Sequence, residues 1–210
     1  MKKLVFILAV LTAMPAMAND YWDDEYEYVE TTSVRRDNYV GIRLHKNENI
    51  AFKYDIHNAG QTTFGKDNWG FGAVVGNRLS DHVKVEFETM YTGAKYTKRN
   101  TDFNFDVWAN MFNVYLFQEF DGAIAPYAGL GIGFASIWGE VNQMSDSVFD
   151  LSYSAMIGVN FALNDRVDLN LGVKYQYYGE VEHKLHGEEF ATTDVDATEF
   201  YFGAVYKFGM

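Results

Sequence analysis

Ten charged residues stand out by where they sit: Arg43, Arg78, Lys84, Glu86, Glu88, Glu119, Asp168, Lys174, Glu199 and Lys207. Each interrupts a stretch of apolar, aromatic or small residues. Opposite charges gathered on one buried face can pair, and isolated ones there would be costly. Such a set can plug a channel, or gate one if its members exchange partners. Two other stretches suggest chemistry. "EHKLHGEEF" places Glu182, His183, His186, Glu188 and Glu189 close together. Imidazole and carboxylate can ligate zinc or nickel, and carboxylates alone can hold Ca²⁺ or Mg²⁺. A hydrophilic loop lacks the preorganisation of a specific site, so no metal or cofactor is expected. "YAGLGIGFASIWG" has glycine at 129, 131 and 133. The dinucleotide fingerprint G-x-G-x-x-G/A fails in both registers, because Phe134 or Ser136 falls at the sixth position. No G-x-S-x-G nucleophile elbow occurs, and no enzyme is expected.

The elements that hold the ten charges follow a period of two. Phe200, Phe202, Ala204, Tyr206 and Phe208 alternate with Glu199, Tyr201, Gly203, Val205 and Lys207. In "VDLNLGVKYQYY", Val167, Leu169, Leu171, Val173, Tyr175 and Tyr177 alternate with Asp168, Asn170, Gly172, Lys174, Gln176 and Tyr178. Side chains alternate faces only in a strand. About eight such segments are expected, near 38–46, 68–79, 83–94, 105–119, 125–139, 148–163, 167–179 and 196–208. Short turns are expected at Ser80-Asp81-His82, Asp121-Gly122 and Asn164-Asp165-Arg166. Long loops are expected at Lys46 to Asp67, Lys95 to Asn104, Glu140 to Ser147 and Glu180 to Val195.

Short turns at one end and long loops at the other predict an all-β fold: an antiparallel, transmembrane, up-and-down β-barrel of about eight strands. The short turns then face the periplasm and the loops the exterior. Leu130, Ile132, Phe134 and Trp138 face lipid, while Gly129, Gly131 and Gly133 leave room in a narrow lumen. A soluble barrel would need a charged outer face, whereas the second face here is glycine, serine, asparagine and tyrosine. Trp69, Tyr91, Trp108, Trp138 and Tyr178 suit interfacial girdles. The ten charges fall on the inward parity, where they form either a salt-bridged plug or a narrow gated pore.

The ends of the chain read differently. Lys2 and Lys3, the short apolar run Leu4 to Ala13, and Ala16-Met17-Ala18 predict a cleaved signal peptide over 1–18. Residues 19–37, "NDYWDDEYEYVETTSVRRD", form an acidic, aromatic periplasmic leader, and 38–210 the barrel. The formal net charge of -12 argues against nucleic acid as a partner. With no cysteine, disulfides and a lipoprotein anchor are excluded.

From Asn38 to Phe208 the chain resembles the small outer-membrane β-barrels of the opacity-protein and OmpA/OmpX type. The signal peptide, the strand count, the glycine-alternating fifth strand and the terminal "FYFGAVYKF" carry the resemblance. It implies the bacterial outer membrane, with its lipid and lipopolysaccharide as surroundings. It also implies that Phe202, Tyr206 and Phe208 are read by the barrel-assembly machinery, with Gly209 and Met210 lying past the signal. Some barrels of this size act on lipid A, and a deacylase of that kind carries a His-x-Ser pair. None of the histidines here has serine two residues later. The expected function is structural or surface-interacting, adhesin-like, with four displayed loops that could meet an extracellular ligand. A small-solute pore is the alternative, and a lipid-modifying enzyme ranks last.

Overall fold

The computed structural model describes residues 37–56, 60–98, 101–120, 123–141, 144–185 and 188–208, with side chains at 37–48, 67–93, 106–120, 123–138, 147–180 and 194–208. The expected signal peptide, nearly all of the leader, and Gly209 and Met210 lie outside these residues.

Eight strands make up the described chain: β1 (Asn38–Ile56), β2 (Gly60–Arg78), β3 (Val83–Lys98), β4 (Thr101–Phe117), β5 (Ile124–Val141), β6 (Met144–Asn164), β7 (Val167–Leu185) and β8 (Glu188–Phe208). Each pairs antiparallel with its sequence neighbours, and β1 pairs with β8 to close the barrel. Closure leaves no unpaired edge, the only way a sheet can satisfy its backbone groups in lipid.

Burial is inverted relative to a water-soluble protein. Ile42, Leu44, Phe71, Phe112, Ile132, Phe134, Leu171 and Phe202 are exposed, while Arg43, Glu86, Glu88, Lys174 and Glu199 are buried. A greasy band of this extent is unstable in water and at rest in hydrocarbon. Trp69, Tyr91, Trp108 and Trp138 face outward. Tyr178 does not: it is fully buried in the lumen, because its even-numbered parity on β7 outweighs its position near a segment end.

The expected long loops are largely paired strand. β1 and β2 stay in register from Ile50↔Lys66 to Ile56↔Gly60, and β7 and β8 pair as far as Leu185↔Glu188. The strands run from 16 to 21 residues, whereas about 9–11 suffice to cross a bilayer. At one end, therefore, the strands continue as hairpins well past the hydrocarbon. Backbone pairing does not require apolar side chains, so polar alternation there reads as loop in a sequence.

The opposite end is tight. The Ser80 hydroxyl accepts from the amides of His82 and Val83, at 3.3 and 3.1 Å. Asn164 Oδ1 accepts from the amides of Arg166 and Val167, both at 2.9 Å. These side chains stand in for a backbone partner at each turn.

Four inward tyrosines lie across glycines on the neighbouring strand. The register pairs Tyr39 with Gly76, Tyr115 with Gly129, Tyr127 with Gly158, and Tyr201 with Gly172. A Cβ added at any of these glycines would meet the facing ring. A lumen of eight strands has little spare width, and the paired glycines give the rings their space.

Candidate functional site: the barrel lumen

The lumen is filled in tiers. In the middle, Arg43 of β1 meets Glu86 of β3 through two prongs, at 2.6 and 2.9 Å. The same guanidinium reaches Glu88 Oε1 at 3.2 Å and Asn170 Oδ1 at 3.4 Å. Tyr115 and Tyr39 donate hydroxyl hydrogens to Glu86, at 2.8 and 3.2 Å. Planar guanidinium against carboxylate is the geometry that best repays desolvation, because two parallel bonds form at once.

Next to it lies a second cluster. His45 Nδ1 is 3.0 Å from Glu199 Oε2, and Nε2 is 3.3 Å from Glu88 Oε1. Lys174 lies 3.1 Å from Glu199 and 3.5 Å from Glu88. The Tyr178 hydroxyl donates a short bond to Glu199. Two permanent cations and one imidazole thus face three carboxylates, all side chains almost fully buried. Local opposition of charge in a low-dielectric interior ties β1, β3, β7 and β8 together.

Beyond the charges, toward the hairpin end, the lumen turns apolar. Met90, Val107, Ala109, Ala135, Ile137, Val195 and Ala197 pack with Tyr178 into one cluster. Gln176 sits beneath, donating to Ser152 Oγ at 2.6 Å.

Toward the short turns the lumen opens into a vestibule of about 320 Å³. Here Lys207 meets Asp168 at 2.7 Å, and Arg78 meets Glu119 at 2.6 Å and Asp81 at 3.3 Å. Glu119 is half exposed at the rim. Lys84 has no carboxylate within ion-pair distance among the described residues. Its ammonium instead sits over the rings of Tyr115, Tyr127 and Tyr39, at 4.7, 4.8 and 5.8 Å from their centroids.

The ten charges singled out above thus occupy two places: Arg43, Glu86, Glu88, Lys174 and Glu199 in the buried middle, the other five around the vestibule. Sequence reasoning passed over His45 and Tyr115 and assigned Tyr178 to a girdle, although each shares the inward parity of a neighbouring charge. It also passed over the apolar tier, since Met90, Val107 and Ile137 look like lipid-facing residues until parity is followed through. Among the described residues no group of His, Asp and Glu could hold a metal ion. Glu182, His183, His186, Glu188 and Glu189 lie outside the described side chains.

A family model described as the outer membrane protein beta-barrel domain matches residues 5–208. The chain belongs to that family. This outer-membrane barrel also shares its fold with solved structures. Neisserial surface protein A aligns at a TM-score of 0.59 and 17% identity, covering 81% of this chain and 97% of that one. The outer membrane protein OprG of Pseudomonas aeruginosa gives a TM-score of 0.59 at 14% identity, covering 84% and 98%. Ail, the attachment invasion locus protein of Yersinia pestis, was solved with the heparin analogue sucrose octasulfate. It gives 0.51 at 16%, covering 83% and 99%. No curated protein matches the chain by sequence. Identities this low speak for the fold alone. The barrel resides in the bacterial outer membrane, surrounded by lipid and lipopolysaccharide.

Proposed function

We propose that this barrel is a closed scaffold that holds four strand-extended hairpins outside the cell for surface contact. One observation carries the reading: the lumen is filled across its width. The buried Arg43–Glu86–Glu88 and Lys174–Glu199–His45 contacts lie beneath an apolar tier of Met90, Val107, Ile137 and Val195. A solute pore needs a wetted lumen, and moving an ion past buried pairs would break them.

The long hairpins give the scaffold something to display. Strand pairing carries the chain to Ile56, Lys98, Val141 and Leu185, and ordered hairpin stems lower the ordering cost of contact with a partner. Ail, whose name records attachment, supports a role of this kind by analogy of fold. The ligand chemistry should differ, because a chain of net charge -12 repels a sulfated polyanion.

Two measurements test the reading. An epitope at Gly60 should be labelled on intact cells, and one at Asp81 only after permeabilisation. Cells displaying the barrel should bind host matrix or neighbouring cells more than cells carrying a version with the β1–β2 and β7–β8 hairpins shortened. Equal binding by the two strains would remove the surface role.

A further inference from the structure

Lys84, the second residue of β3, lines the vestibule and stands directly opposite Arg78 on β2. Like charges facing across a strand pair are destabilising. Its neighbours are matched: Arg78 by Glu119 and Asp81, Lys207 by Asp168, and Glu86 by Arg43. Lys84 has only the faces of Tyr39, Tyr115 and Tyr127, which attract a cation but offer its hydrogens no oxygen. The hydroxyls of those rings bond to Glu86 and Tyr201 instead. The vestibule therefore presents one ammonium whose hydrogens have no acceptor among the described residues.

The cavity around Lys84 has the dimensions of a ligand site. Its volume of about 320 Å³ lies at the lower end of the range for small-molecule pockets, roughly 300–1,000 Å³. Phe117, Ala125 and Val205, all buried, give it an apolar wall. Three cations and five carboxylates line it, a formal balance of -2. A simple anion is therefore not concentrated there from solution, and a simple cation would meet Lys84. A molecule carrying both charges answers both conditions. Glu119 and Asp165, exposed at the mouth, are placed for its cationic end. Arg78 stands between the two charges, since it faces Lys84 and is bonded to Glu119. The ends of the ligand must therefore lie further apart than those of one amino acid. A dipeptide, spanning about 7 Å when extended, has that reach.

We propose that the vestibule binds a short zwitterionic peptide, with its terminal carboxylate on Lys84 and its ammonium among the carboxylates of the mouth. The carboxylate supplies the acceptor that Lys84 lacks and offsets the repulsion from Arg78. Small apolar side chains of the peptide cover Phe117, Ala125 and Val205, removing that wall from water. The site lies at the end opposite the extended hairpins and is independent of their surface role.

The test uses the full barrel purified in detergent, with its lysines ¹³C-dimethylated and the Lys84 resonance assigned by its loss in Lys84→Arg. Dialanine should shift that resonance saturably, with a midpoint on the order of millimolar. N-acetyl-dialanine lacks the ammonium, and dialanine amide lacks the carboxylate. Each should bind about tenfold more weakly, the factor that a charge-assisted hydrogen bond is worth. Free alanine should also bind more weakly than dialanine, because it cannot reach both ends. No saturable shift with dialanine overturns the proposal. Equal midpoints for dialanine and N-acetyl-dialanine would assign the site to a simple anion, and equal midpoints for dialanine and alanine to an amino acid; either excludes the peptide. If Lys84→Arg does not fold, equilibrium dialysis of labelled dialanine against the wild-type barrel, with the other three as competitors, reads the same midpoints and carries the same exclusions.

Discussion

The guanidinium of Arg43 and the carboxylate of Glu86 face each other across the lumen in a two-pronged contact, at 2.6 and 2.9 Å, although the residues lie on β1 and β3. The pair spans β2 rather than following the sheet. It therefore braces the barrel across its cross-section, a constraint that backbone pairing between neighbouring strands cannot supply. Tyr39 and Tyr115 complete the coordination of Glu86, so the carboxylate has few unfilled directions.

Removing one member of this pair should be far worse than removing both. Arg43→Leu strands Glu86 and Glu88 without their guanidinium and should cost about 3–5 kcal/mol. Arg43→Leu with Glu86→Leu should recover most of that loss. Urea unfolding of the refolded barrel, followed by migration on a cold gel, reads both. Equal destabilisation by the single and double variants would show that the lumen there is wet and screened.

The tyrosine–glycine pairs give a steric prediction. Gly172 has no room for a methyl group, because the Tyr201 ring lies over it. Gly172→Ala should destabilise the barrel by about 1–3 kcal/mol, and replacing the ring with Tyr201→Ser should relieve only part of the clash, because the Ile157 carbonyl also crowds the added methyl. The Tyr201 hydroxyl is also 2.6 Å from that of Tyr127, so Tyr201→Phe alone should cost about 1 kcal/mol. A Gly172→Ala barrel of unchanged urea midpoint would refute the packing argument.

The closing strand gives a third. Phe208 pairs with Asn38, and Phe202 with Leu44, across the β1–β8 seam. Phe202, Tyr206 and Phe208 all face outward, where lipid or an assembly factor can reach them. Phe208→Asp should abolish heat-modifiable migration in cells and leave the chain open to periplasmic proteases. Deleting Gly209 and Met210 should change neither. Folded Phe208→Asp at wild-type yield would separate the seam from any assembly signal.

Much of this architecture was legible because membrane strands obey a strict period of two. One alternation in "VDLNLGVKYQYY" assigns Lys174 inward and Leu171 outward without any knowledge of β8. What could not be read was partnership. Arg43 and Glu86 are 43 residues apart, and only the register of β1 on β2 and β2 on β3 brings them level. Parity likewise put Lys84 among charges expected to pair, yet register sets it opposite Arg78 rather than a carboxylate. The hairpin extensions were missed for a different reason. Outside lipid, strand pairing no longer demands an apolar face, so the signal that marks β1 up to Lys46 fades while the strand continues to Ile56. Tyr178 was assigned to a girdle because an aromatic near a strand end suits one, yet its parity with Lys174 turns it inward, where it meets Glu199.

Single-channel recording in planar bilayers tests the central claim, a lumen sealed by ion pairs and an apolar tier. Wild-type barrel should show no steady conductance across the physiological voltage range. Replacing the seal with small residues, through Arg43→Ser, Glu86→Ser, Met90→Ser and Ile137→Ser together, should create discrete channels in whatever fraction still folds. Steady, single-sized openings from the wild-type barrel would contradict the account and make this protein a pore.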